Sequence, residues 1–279
     1  MLTRPTDNAA RERPDDPRRR AGPTRPADEA TPHEPAAVGV DLGSANTRVW
    51  ASGRGTLHVT NPAPAAAQWS GPVVRGRVTD PEAVRLRLSG LLCGRRRPLP
   101  AGVVVVACRP VGADAEAQLA LREVMTTVFQ PARLLFIDTV RAAAVGAGAA
   151  PGPLLVADVG AHLTEVAVLA GGVVIAAQRR DVGLHDHAGE LDPDAAVIAA
   201  VTELIGQVRC QPGRRQAIAA AIRGGLLLVG GGATRPRLAA RIAGAAGLPV
   251  RRPAAPHLAA VRGAGLAALA ALRRGAVRL

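Results

Sequence analysis

The sequence predicts an α/β protein built from two related lobes that face one cleft. Three observations carry that prediction. A buried apolar run ending in Asp, a Gly-containing turn and a second apolar run occur at residues 37–50 and recur at residues 154–169, so that Asp41 and Asp158 stand 117 residues apart. Short apolar runs of strand length alternate with longer runs of helical period. A third Gly-rich turn, Gly230-Gly231-Gly232, follows an apolar run and opens a helical one. An internal repeat of this kind implies two similar units with a crevice between them.

Each element follows from local chemistry. Residues 1–36 are rich in Pro, Arg and acids with almost nothing to bury, so they read as a disordered tail without an amphipathic face. Residues 37–40 and 47–50 read as a hairpin, and residues 61–78, rich in Pro and Gly, as irregular. Residues 80–92 fit a helix capped by Thr79 or Asp80 with Pro81 in its first turn. A loop at Arg95-Arg96-Arg97 precedes a strand at 103–107, a helix at 113–129, a strand at 133–137 and a small-residue helix at 139–148. The Pro151-Gly152-Pro153 hinge leads into the second unit, then helices at 194–208 and 214–223, a strand at 226–229, and helices at 235–246 and 258–272.

Composition bounds the function. The chain holds 48% hydrophobic but only 1% aromatic residues, so its core is aliphatic. Its formal net charge of +13 is carried by Arg alone, in scattered pairs such as Arg179-Arg180 and Arg251-Arg252. Without interleaved aromatics for base stacking, nucleic acid is disfavoured; an acidic membrane surface or an acidic partner suits the charge better, and a solvated Arg-rich surface is the simplest reading. Cys93, Cys108 and Cys210 have no metal spacing and read as reduced cytosolic thiols. No apolar run approaches the roughly 18 residues needed to span a bilayer.

Asp41-Leu42-Gly43-Ser44-Ala45-Asn46-Thr47 ends a buried strand. A tight Gly turn brings backbone N–H groups and hydroxyls to an anion, and an Asp at the strand end can hold hydrated Mg²⁺ beside phosphate oxygens. Alone it is equally an ordinary hairpin turn. The second copy and the turn at Gly230-Gly231-Gly232 shift the balance to a nucleotide cleft. A P-loop is excluded, because the chain has no Lys.

Residues 38–47, with the Gly53-Arg54-Gly55 turn and Asn61-Pro62, resemble the first phosphate motif of the MreB-like bacterial actins. Residues 103–110 and 137–146 resemble the strand and helix between that family's lobes. Residues 158–168 resemble its second phosphate motif, 228–233 its adenosine motif, and 247–265 its ending. The resemblance covers nearly everything from residue 37 onward.

It implies two actin-like (ribonuclease H-like) lobes around a nucleotide cleft: residues 37–150 completed by 258–279, and residues 151–257. It further implies ATP, with Gly43, Ser44, Ala45, Asn46, Thr47, Gly160, Ala161 and His162 toward the phosphates. Gly230, Gly231, Gly232 and Ala233 fall at the adenosine, and Asp41 and Asp158 hold Mg²⁺ through water. Implied partners are other bacterial actins, cell-wall synthesis proteins or further copies of the chain. The implied location is the cytoplasm, at the inner face of the membrane in the peripheral case.

The departures matter as much. Ala161-His162-Leu163 stands where the family has Gly-Gly-Thr, so His162 either donates to a phosphate or blocks it. Thr139 stands at the family's water-positioning Glu, with Asp138 adjacent but turned away. There is no length for one outer subdomain after Pro62 and only a helix pair for the other before Leu226. The expected protein is therefore a trimmed MreB-like morphogenesis protein with weak or absent hydrolysis. The alternatives are an active polymerising ATPase and, less favoured, a small-molecule kinase. His185-Asp186-His187 looks like a metal cluster, but the matching family segment is a loop near the cleft.

Overall fold

A computed structural model describes residues 36–61, 71–93 and 99–276; the expected tail before Ala36, Pro62 and the Arg95-Arg96-Arg97 loop lie outside them. The first lobe is a sheet of β1 (Ala37–Leu42), β2 (Asn46–Ala51), β3 (Gly55–Thr60), β6 (Val104–Arg109) and β7 (Arg133–Asp138), in the order β3-β2-β1-β6-β7. Strands β1 to β3 form an antiparallel meander, and β6 and β7 join β1 in parallel. The second lobe repeats the plan with β8 (Leu154–Val159), β9 (Thr164–Ala170), β10 (Val173–Arg180), β11 (Leu226–Val229) and β12 (Val250–Arg251). Its order, β10-β9-β8-β11-β12, has the same mix of directions. The repeat in the sequence is thus a repeat of whole sheets.

Both faces of each sheet are covered, which is why the strands read as continuous apolar runs rather than alternating ones. Helices α1 (Pro81–Cys93) and α2 (Ala115–Phe129) bury Leu88, Val124 and Met125 against Val38, Val40 and Val49 on the outer face of the first sheet. Helices α4 (Ala195–Arg209), α5 (Arg215–Arg223) and α6 (Pro236–Ala246) bury Leu204, Ile218, Leu238 and Ile242 against Leu155, Val166 and Val168 of the second. Between the sheets lie α3 (Thr139–Gly146) and α7 (Ala259–Ala276), whose Ala residues share one core with Ala37, Val106, Val156 and Val229. These two helices cross backbone to backbone. A Cβ on Gly263 would fall 1.7 Å from the Ala142 carbonyl oxygen, and one on Gly146 1.9 Å from that of Ala259. The Ala/Gly bias of the last helix is therefore a packing requirement.

The structure corrects the sequence reading in places. Residues 73–78, expected to be irregular, hold a small hairpin of β4 (Val73–Val74) and β5 (Arg77–Val78). Strands β3, β10 and β12 were not anticipated. Asp80 caps α1, its Oδ1 accepting the Ala83 N–H at 2.9 Å. The last helix runs on to Ala276.

Candidate functional site

The two repeated turns are closed by the same bond. The Gly43 N–H donates to the Asn46 carbonyl at 2.9 Å, and the Gly160 N–H to the Leu163 carbonyl at 2.8 Å. Asn61 pins the first turn from behind: its Nδ2 donates to the carbonyls of Gly43 (2.8 Å) and Ser44 (3.0 Å), and its Oδ1 accepts from Thr47 Oγ1 at 3.2 Å. The third turn abuts the end of β8. Gly230 has φ +84°, and a Cβ there would sit 2.1 Å from Asp158 Oδ1, so only glycine permits this approach.

The three turns line one cleft of about 400 Å³ between the lobes. Asp41, Gly43, Ser44, Ala45, Asn46, Thr139, Asp158, Gly160, Ala161, His162, Gly230 and Gly231 all reach it. Three expected residues do not: Thr47 is buried on Asn61, and Gly232 and Ala233 are buried in a short 3-10 turn behind the cleft. Asp138, expected to turn away, pairs with Arg109 Nε at 3.2 Å.

Hairpin register places Asp41 directly opposite Arg48, and Arg48 Nη1 lies 3.4 Å from Asp41 Oδ2 with each side chain 14% exposed. The same register in the second lobe sets Asp158 opposite Glu165. Burial, and then the nearby charge of Asp41, push the Asp158 carboxyl up to about 7. Burial, and then Asp158, push Glu165 up to about 8. Burial also raises Asp41, with Arg48 opposing it. Glu165 Oε1 accepts the Val111 N–H at 2.6 Å and so ties the second lobe to the first.

His162 is 1% exposed, with Nδ1 2.6 Å from Asp186 Oδ1. Asp186 Oδ2 accepts the Gly183 N–H at 2.7 Å, and Gly183 lies so flat on the second turn that a Cβ would meet Ala161 and His162 backbone at 2.4 Å. Across the cleft, the tip of the β4–β5 hairpin reaches both turns. The Arg75 N–H donates to Ser44 Oγ at 3.1 Å, and Arg75 Nη2 stands 3.6 Å from Asp186. Thr139 Oγ1 donates to the Arg109 carbonyl at 3.0 Å, so its hydroxyl is committed to backbone.

Arg48, Arg75, Asn61 and Glu165 were not singled out as site residues from the sequence, although Asn61 and Glu165 fall within the resemblance; Asp186 was noted only as part of a candidate metal cluster. His185 and His187 do not form a metal cluster with Asp186. His187 Nδ1 lies 2.5 Å from Glu190 Oε1 instead, and no three His, Cys, Asp or Glu side chains among the described residues are arranged to hold a metal.

Asp41 fits the expected Mg²⁺ poorly, because a dication beside it would share it with the Arg48 guanidinium 3.4 Å away. Among the described residues, no helix is long and apolar enough to cross a membrane.

No protein-family model and no curated protein matches the chain. Solved structures do. MreB5 of Spiroplasma citri bound to AMPPNP aligns with a TM-score of 0.73 at 16% identity, over 89% of this chain and 100% of that one. A MamK double helical filament gives 0.63 at 16%, over 84% and 98%. The ethanolamine utilization protein EutJ from Carboxydothermus hydrogenoformans gives 0.59 at 20%, over 83% and 89%. The chain has the actin-like fold.

Proposed function

We propose that the chain is an MreB-like actin homologue that binds an adenine nucleotide, hydrolyses it slowly or not at all, and serves bacterial morphogenesis through protein partners. One observation carries the reading: no carboxylate stands ready to position water. Thr139, at the family's Glu position, spends its hydroxyl on the Arg109 carbonyl, and His162 at the phosphate turn is buried on Asp186. Loss of a positioned general base typically costs about 10²–10⁴-fold in rate. Nucleotide binding is supported by the three converging turns, and by the AMPPNP held in the MreB5 of similar fold.

On this reading residues 37–150, completed by 258–279, form one lobe and 151–257 the other. Partners are other bacterial actins, wall-synthesis proteins or further copies of the chain; the Arg-rich surface suits an acidic membrane face. Calorimetry of the full chain with ATP and ADP tests the first half of the claim. Micromolar binding, abolished by Gly231→Val, supports it. Gly231 lines the cleft, and a Cβ there meets Leu184 Cδ1 at 3.6 Å and the Val159 carbonyl oxygen at 4.0 Å, both ordinary contacts. No binding up to millimolar nucleotide overturns it. ATP-dependent filaments with steady phosphate release would favour an active polymerising ATPase, the fold of the MamK filament being of the same kind.

A further inference from the structure

From the ion pair at the first turn we infer that this cleft carries its own cation: Arg48, supported by Arg75, takes the place of Mg²⁺, so that a polyphosphate binds without a divalent metal. The inference rests on the nucleotide reading for its ligand but not for its geometry.

Arg48 cannot avoid the position. Antiparallel register in a hairpin closed after Leu42↔Thr47 puts residue 48 opposite residue 41 on the same face. That face carries Gly39 and Trp50 toward the last helix and opens, one pair further on, into the cleft. The guanidinium therefore lies where a cation bridging Asp41 and a phosphate would lie. Its Nη1 is 3.4 Å from Asp41 and 3.9 Å from where a Cβ on Gly43 would sit, beside the phosphate turn. A guanidinium carries five N–H donors, and among the described residues only Nη1 is spent on Asp41, leaving donors for an anion. Two positive charges cannot share so small a space cheaply, so Arg48 and Mg²⁺ exclude one another.

A second guanidinium stands beside the cleft, next to Gly76, which lines it. Arg75 sits at the tip of the β4–β5 hairpin with φ +50°, beside Gly76 at φ +76°. Its N–H holds Ser44 Oγ, and its side chain is 43% exposed, loosely paired with Asp186 at 3.6 Å. A pair that long and that wet is readily traded for a phosphate oxygen. Arg48 in the cleft, with Arg75 at its border, brings to the phosphate end the charge that a metal supplies elsewhere.

The test uses the purified full chain, with ATP and, separately, inorganic tripolyphosphate as probes, each titrated in excess Mg²⁺ and in excess EDTA. The expected result is binding in EDTA within about threefold of that in Mg²⁺, since the charge is built in. Arg48→Leu should weaken binding in EDTA by at least about tenfold, the worth of one charge-assisted contact, and Arg48→Lys should restore part of it. Mg²⁺ alone should leave the melting temperature unchanged. ATP binding that requires Mg²⁺ overturns the inference and leaves the nucleotide reading standing. Tripolyphosphate binding in EDTA without ATP binding does the reverse. No binding of either probe sinks both.

Discussion

Glu165 gives the sharpest thermodynamic prediction. It is 3% exposed, its Oε1 holds the Val111 N–H across the lobes, and its carboxyl is carried from 4.5 to about 8. In the unfolded chain it ionises near 4.5; in the folded protein it keeps its proton until about 8. Between those values the native state binds more protons, so the stability contributed by this group is full below pH 4.5 and is lost as pH rises toward 8. The ceiling on that loss is about 5 kcal/mol. An effective dielectric near 20 describes most such sites, which brings the expected value to about 2 kcal/mol.

Glu165→Gln removes the titration and keeps an amide oxygen for the Val111 N–H. At pH 5 the variant should melt with the parent. At pH 8.5 it should melt about 4–8 °C higher, since about 1 kcal/mol is worth 2–4 °C in a domain of this size. Thermal unfolding by circular dichroism at the two pH values reads this directly. Equal destabilisation of the variant at both pH values would refute the reasoning and make the ionised carboxylate a native contact.

Asn61→Ala should cost about 1–3 kcal/mol by freeing the Gly43 and Ser44 carbonyls, and should weaken nucleotide binding in parallel; urea titration and calorimetry measure the two. Gly263→Ala places a Cβ 1.7 Å from the Ala142 carbonyl oxygen; it should cost at least about 3 kcal/mol in urea titration, whereas Gly244→Ala, with nothing within 4 Å, should cost nothing. Gly230→Ala drives a Cβ against Asp158 at positive φ; nucleotide binding should fall at least about tenfold, read by the same calorimetry.

The sequence made some of this legible and concealed the rest for physical reasons. The helices from 113 onward and the two Asp-Gly turns announced themselves through period and glycine. Strand β10 was also within reach: Gly171-Gly172, both at positive φ, sit between two apolar runs in the pattern that most strongly marks a two-residue hairpin. The β4–β5 hairpin was not, because two-residue strands carry no period and its turn places Arg75 at positive φ, where the residue type gives no warning. The site divides likewise. Asp41, Asp158 and the glycines lie in local motifs. Arg75 meets Asp186 only through the closure of two lobes, so no spacing along the chain foretells it. Arg48 stands between these cases: the hairpin register implies its pairing with Asp41, yet among so many arginines its charge did not stand out.

Whether the cleft holds nucleotide without cleaving it is read by a single-turnover experiment. The full chain in excess over γ-labelled ATP is sampled over hours, and the nucleotide is separated by chromatography. Bound nucleotide should be recovered as triphosphate, with conversion at least about 10²-fold slower than by a matched MreB-type ATPase run beside it. Conversion to diphosphate at the rate of that control would overturn the proposed function, and would require a water-positioning group other than Thr139.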